Sequence, residues 1–152
     1  MNTVTTRKAS IDDLEPLAVL FDSYRQFYAQ APDVALARAF IVARLNNKDS
    51  VIFVAENSEA KLIGFCQIYP SFCSVAAAKI GVLYDLFVDS SARKTGAGRA
   101  LMLAAHEYAA NNGMTRLDLS TAKNNHAAQT LYKSLGWVRD DIFYVYNKEI
   151  LN

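Results

Sequence analysis

The sequence predicts a mixed α/β sandwich around a central sheet. Two β-rich runs, Val51 to Glu56 and Leu62 to Tyr69, flank a polar turn and read as an antiparallel hairpin. Between Ile80 and Ser120 a strand, an amphipathic helix and a second strand form a βαβ unit, which makes those strands parallel and the crossover right-handed. Helical apolar spacing occurs twice before the hairpin. A chain of 152 residues with 52% hydrophobic and 20% charged side chains suits one globular core. No repeat or low-complexity linker interrupts it, so residues 1–152 read as a single domain.

Thr3 to Lys8 is Thr-rich and suits a first strand. Ser10, Asp12 and Asp13 then offer N-caps for a helix reaching about Tyr28, with Pro16 in the first turn, where an amide has no helical partner to lose. Leu14, Leu17, Phe21, Tyr24 and Tyr28 recur at helical spacing and predict one apolar face. Asp33 to Leu45 is a weaker helical pattern, closed by Asn46 and Asn47. Past the hairpin and its turn at Asn57 to Glu59, Pro70 to Lys79 reads as an irregular connection. Ile80 to Val88 is apolar except at Gly81 and Asp85, which predicts the most buried strand of the sheet. A helix from about Gly96 carries Leu101, Ala105, Tyr108 and Ala109 on one stripe and ends at Asn111, Asn112 and Gly113. Arg116 to Ser120 follows as a strand. A short helix from Asn125 to Leu135, stopped by Gly136, leads into Trp137 to Arg139 and Ile142 to Asn147, the latter a terminal strand.

Several functions are disfavoured by composition. Sixteen Lys and Arg against 15 Asp and Glu give a net charge of +1, so no global field draws the chain to nucleic acid or an anionic membrane. No apolar run approaches the roughly 18 residues of a membrane span, and no basic segment with an apolar stretch opens the chain. A soluble, cytoplasmic protein is expected. Cys66 and Cys73 read as reduced thiols, and with His106 and His126 they make no metal-ligand spacing.

The segment from Val88 to Leu101 carries the chemistry. Gly96 and Gly98 let backbone amides approach a ligand, and the unpaired amides of a helix N-terminus attract anions. Arg93, Lys94 and Arg99 stand beside them, so phosphate is the expected ligand. Leu101 stands where a dinucleotide fingerprint wants a third glycine, and Gly98-Arg99-Ala100 replaces the Gly-Lys-Ser/Thr of an NTPase loop.

This Arg-x-x-Gly-x-Gly core resembles the pyrophosphate-binding motif of the Gcn5-related N-acetyltransferases (GNAT). A later run, Asn125-His126-Ala127-Ala128-Gln129-Thr130-Leu131-Tyr132 followed by Gly136 and Trp137, is similar to that family's Asn-x-x-Ala-x-x-Leu-Tyr motif. The aromatic cluster from Tyr24 to Tyr28, the strand Tyr84 to Val88 and the Asn125-His126 pair look closest to the Hpa-type histone and polyamine acetyltransferases. The resemblance implies a GNAT-like fold: a mixed, mostly antiparallel sheet flanked by helices, with parallel strands splayed at the cofactor site. It implies acetyl-CoA as donor and coenzyme A as product. Backbone groups of Leu86, Phe87 and Val88 would bond the pantetheine and thioester. Arg93, Lys94, Thr95, Gly96, Ala97, Gly98 and Arg99 would hold the pyrophosphate, Asn125 the cofactor arm, and Tyr132 would stand near the sulfur.

An aliphatic amine with a pKa of roughly 10.4 loses its proton at pH 7 at a cost of about 4 to 5 kcal/mol, so the reaction needs a proton acceptor. Asp85, the only acid in the buried strand, is the candidate general base; the same acid could instead serve only to bond backbone or a neighbour. In some polyamine-acetylating relatives a glutamate precedes this aspartate, and Tyr84 stands there here. Tyr132 is the candidate to hydrogen-bond or protonate the departing thiolate. A bulge near Leu86 and Phe87 is expected to free an amide for the thioester oxygen. Tyr24, Tyr28 and Tyr84 are the substrate-binding candidates; Phe27, Tyr69 and Phe72 could add to an acceptor wall, and Asp22 and Asp33 could attract a cation. The expected reaction is direct transfer to a primary amine of a small molecule, such as a polyamine or amino acid. The alternatives are a protein or histone lysine acetyltransferase and a non-catalytic acyl-CoA-binding module. No nucleic-acid, membrane or metal partner is expected, and a homodimer or higher homo-oligomer is.

Overall fold

The structure, a computed structural model, describes residues 3–151. They divide into two compact units, one ending at Ser120 and one beginning at Thr121. In the first, a sheet runs in the order β1 (Thr5–Lys8), β2 (Val51–Glu56), β3 (Leu62–Cys73), β4 (Ala78–Val88) and β5 (Leu117–Asp118). Neighbours are antiparallel up to β4, and β5 is parallel to β4, as the βαβ reading requires.

Local chemistry sets the helices. Ser10 and Asp13 form a reciprocal capping box, and Arg7 donates two hydrogen bonds of 2.8 Å to the Asp13 carboxylate. Helix α1 (Leu14–Phe27) follows, and Pro16 falls at its third residue, where no amide is needed. Asp33 caps α2 (Val34–Asn47) by accepting from the Leu36 amide at 3.0 Å. Helix α3 (Ala97–Asn111) is the βαβ crossover.

The core forms on both sheet faces. Leu17, Phe21 and Ile41 from α1 and α2 join Val54, Phe65 and Phe87 of the sheet. Cys66, the next residue along β3, faces Leu101 of α3, its thiol 3.8 Å from the Leu101 carbonyl. Since adjacent strand residues point to opposite faces, α3 covers the face that α1 and α2 leave.

The secondary-structure elements depart from sequence expectation in four places. First, Pro70 to Lys79 is not an irregular connection: β3 continues to Cys73 and β4 starts at Ala78, leaving a four-residue turn. Pro70 is tolerated because it pairs with Gly81, whose amide points away to the Arg116 carbonyl at 3.0 Å. The missing proline donor therefore faces the side where β2 has already ended at its Val51–Ile68 pair. Second, the most buried strand is β3, with Leu62 to Ile68 all buried, and not β4, where Tyr84 is 68% exposed. Third, the strand at Arg116 to Ser120 shrinks to Leu117–Asp118, so β4 keeps one bare edge beyond Val82. Fourth, Trp137 to Arg139 and Ile142 to Asn147 form no strand. Asp140 accepts from the amides of Ile142 and Phe143 at 3.1 and 3.3 Å, an Asx-type turn that diverts the chain from extended pairing.

In the second unit, α4 (His126–Ser134) is capped by Asn125, whose side chain accepts from the Ala128 amide at 3.1 Å. Among the described residues no helix is long and apolar enough to cross a membrane.

Candidate active site

The bare edge of β4 is where the candidate residues of the first unit gather. Gly81 and Val82 pair with Leu117 and Asp118, and from Leu83 to Val88 that edge has no strand partner among the described residues. On the other edge, Gln67 lies opposite Asp85 and Ile68 opposite Leu83, so Tyr84 is the extra residue of a bulge. The bulge is thus at Tyr84, ahead of the expected Leu86 and Phe87. One added residue re-aims the strand: Tyr84 projects outward while Asp85 is only 5% exposed.

Asp85 sits in a closed polar network. Gln67, fully buried on β3, donates from Nε2 to Asp85 Oδ2 at 2.8 Å. The Gln67 Oε1 accepts from the Ser50 hydroxyl at 2.6 Å. The Tyr24 hydroxyl, 3.4 Å from the Tyr84 carbonyl, also reaches the Asp85 carboxyl. Burial pushes the Asp85 carboxyl above the ordinary carboxylate range, while the bonds from Gln67 and Tyr24 act against that rise. Among the described residues no Lys or Arg forms an ion pair with it. Such an acid is a stronger base than an exposed one.

Aromatic rings cluster around Tyr24, which reaches this carboxyl. Tyr24 is half-buried, with Phe65 at 5.6 Å, Phe87 at 5.9 Å and Tyr28 at 5.2 Å between ring centroids. Tyr84 stacks edge-on with Tyr69 at 5.7 Å. Tyr28, Phe27, Phe72 and Tyr84 are exposed. Burial raises the Tyr69 phenol to about 12 and lifts Tyr24 as well, so both stay neutral at physiological pH. Asp22 and Asp33 are engaged structurally: Asp22 accepts from Arg25, Gln26 and the Asp33 amide, and Asp33 caps α2.

The anion cradle lies at the end of the same strand. Gly96 caps α3 with φ +86°, a left-handed conformation that suits glycine, and a Cβ there would meet no atom within 4 Å. The first helical bond runs from the Ala100 amide to the Gly96 carbonyl, so the amides of Ala97, Gly98 and Arg99 have no carbonyl within the helix. Lys94 and Arg99 are exposed beside them, and Thr95 ties the loop by donating to the Ala92 carbonyl at 2.7 Å. Arg93 donates from Nε to the Val88 carbonyl at 2.9 Å, with its guanidinium 5.8 Å from the Phe27 and Phe87 rings. It therefore fastens the loop to β4. Open amides, an unobstructed glycine and three cations fit a diphosphate.

In the second unit, Asn125 uses its carbonyl oxygen to cap α4, and Tyr132 is half-buried 6.2 Å from the Trp137 ring. The cysteines remain free thiols. Cys66 is buried, with its thiol pushed up to about 12, which makes it a poor nucleophile. His106 and His126 are exposed, and among the described residues no cluster could hold a metal. Gln67 and Ser50 escaped sequence reasoning, although a lone amide inside the apolar run Leu62 to Tyr69 was a readable signal that a buried polar partner existed.

Comparison with known proteins agrees with this geometry. The acetyltransferase (GNAT) family matches residues 17–137. A Bacillus subtilis (strain 168) protein described as an uncharacterized N-acetyltransferase, YhfO, is 45% identical over 140 residues, 92% of this chain and 93% of that protein. A probable acetyltransferase of Haemophilus influenzae is 31% identical over 120 residues, 79% of this chain and 82% of its own. The crystal structure of a probable acetyltransferase superposes with a TM-score of 0.91 at 34% identity, covering 97% of this chain and 99% of that one. With the bare edge of β4 and the open N-terminus of α3, these matches show that the chain belongs to the GNAT family and is an acetyltransferase.

Proposed function

We propose that this enzyme transfers the acetyl group of acetyl-CoA directly to a primary amine of a small molecule. The observation that carries the reading is a buried carboxyl, Asp85, with no Lys or Arg ion-paired to it among the described residues, on the strand that leads to a glycine-opened helix N-terminus. Acetyl-CoA supplies an acyl carbon activated as a thioester. Residues Arg93 to Arg99 bind its diphosphate, and the bare edge from Leu86 to Val88 offers backbone groups to its pantetheine arm. Asp85 accepts the ammonium proton of the acceptor, whose removal costs roughly 4 to 5 kcal/mol at pH 7. Asn125 holds the cofactor arm, and Tyr132 hydrogen-bonds the departing sulfur.

The acceptor is read as a small amine because Tyr24 reaches a single carboxyl and Tyr28 and Tyr84 border Tyr24, a setting for one ammonium group against aromatic faces. A cytoplasmic setting suits two free thiols, and a homodimer or higher homo-oligomer is the expected assembly. The test is thiol release from acetyl-CoA against polyamines, amino acids, aminoglycosides and histone peptides. Turnover with a small amine supports the reading, turnover with peptides alone assigns a protein lysine acetyltransferase, and saturable binding with no turnover leaves an acyl-CoA-binding module.

A further inference from the structure

The buried amide of Gln67 is held at both ends. Ser50, half-buried at the entrance to β2, donates to Oε1 at 2.6 Å, which turns Nε2 toward Asp85 Oδ2 at 2.8 Å. An amide can present either of two chemically opposite ends, and only the N–H end stabilises a carboxylate. The carboxylate can only accept and so selects the N–H end, and the serine hydroxyl anchors the opposite end of the amide. We propose that Ser50 and Gln67 act as positioning residues for the general base: Ser50 anchors the far end of the Gln67 amide, and the amide locks one oxygen of Asp85 so that the carboxylate is held ready to take a proton. This inference rests on Asp85 being the base.

The step it serves is balanced simply. The ammonium N–H bond breaks, its electron pair stays on nitrogen, and the proton joins an Asp85 oxygen to give a neutral acid, which later returns it to water. The groups that feel the Asp85 charge are Tyr24 on α1 and Cys66 and Tyr69 on β3. Tyr28 and Tyr84 border Tyr24, and Arg44 of α2, which acts on Tyr69, is paired with Asp49 at 3.1 Å. Tyr24, Cys66 and Tyr69 all have their pKa values pushed up, which makes them weaker acids, so none contributes an acid limb near neutral pH. That limb reports Asp85.

The experiment follows the Asp85 carboxyl by 13C NMR in aspartate-labelled protein, assigned with Asp85→Asn, and runs the pH profile of kcat/KM alongside. In Gln67→Met, which keeps the volume and removes the donor, the midpoint and the acid limb should move together to higher pH by about one to two units, the size of one hydrogen bond to a charged group. Ser50→Ala should shift both the same way by less, and Ser50→Thr should restore them. Because Ser50 is half-buried, its variants keep the proposal testable if Gln67→Met folds poorly. An unmoved midpoint in Gln67→Met, or in Ser50→Ala, overturns the proposal. If Asp85→Asn turns over like wild type, the base assignment falls and the role of Gln67 falls with it. If Asp85→Asn is inactive while the midpoint stays put in Gln67→Met, the positioning role alone falls.

Discussion

Gly64 offers a direct test of how tightly β3 holds the edge of β4. A Cβ at this position would lie 2.8 Å from the Phe87 carbonyl oxygen, 3.3 Å from Leu101 Cδ1 and 3.4 Å from Val88 Cα. Ordinary carbon–oxygen contacts are about 3.3 to 3.6 Å, so Gly64→Ala must separate the strands by about 0.5 Å or more. The obstruction is backbone, so no rotamer relieves it. Overpacking of this kind costs about 1 to 3 kcal/mol, and for a domain of this size that lowers the melting temperature by about 2 to 12 °C. Phe87 and Val88 lie on the edge proposed to receive acetyl-CoA, so catalysis should suffer separately. A 1 Å misplacement can cost about 10²-fold, and half of that displacement should cost roughly tenfold in kcat/KM for acetyl-CoA. Gly113→Ala is the control: φ is +72° with no atom within 4 Å of the added carbon. It should lose about 1 to 2 kcal/mol through left-handed strain and keep its rate. Circular-dichroism melting and the thiol-release assay read both effects. A Gly64→Ala protein that melts and turns over like wild type would refute the reasoning.

Tyr132→Phe should lower kcat by about 10²-fold while calorimetry gives an unchanged acetyl-CoA affinity, since the hydroxyl acts on the leaving sulfur. Arg99→Ala should weaken acetyl-CoA binding about tenfold at low salt and less at high salt, because an exposed cation facing a diphosphate is screened. Asp13 is held below the usual carboxylate range by its bonds from Arg7. A depressed carboxyl contributes stability that is present above its unfolded pKa, roughly 3.9, and lost as pH falls through the lower folded value. Asp13→Asn should therefore lower the melting temperature at neutral pH and converge on wild type in strong acid. A constant difference across that range would assign the loss to the capping box alone.

The parts of the fold set by local pattern were legible in the sequence. Asp33 capped α2, the 3.6-residue spacing of Leu14, Leu17 and Phe21 marked the buried face of α1, and Ile80 to Val88 with its following helix gave the parallel pair. Properties set by pairing were hidden. Pro70 looked like a strand breaker because nothing local reveals that β2 has ended beside it. The burial ranking of β3 and β4 depended on β5 covering only two residues of its neighbour, which composition does not record. At the candidate site, the cradle was readable because glycines and cations cluster in sequence. The network around Asp85 was not, because Ser50, Gln67 and Tyr24 meet only through the register of three strands and a helix.

The most direct measurement is a calorimetric titration comparing acetyl-CoA with acetyl-pantetheine, which carries the same thioester arm and no diphosphate. If the open amides of α3 and the cations from Arg93 to Arg99 grip that diphosphate, acetyl-CoA binds saturably and the truncated compound binds at least about tenfold more weakly. Equal affinities, or no heat with acetyl-CoA, would contradict it.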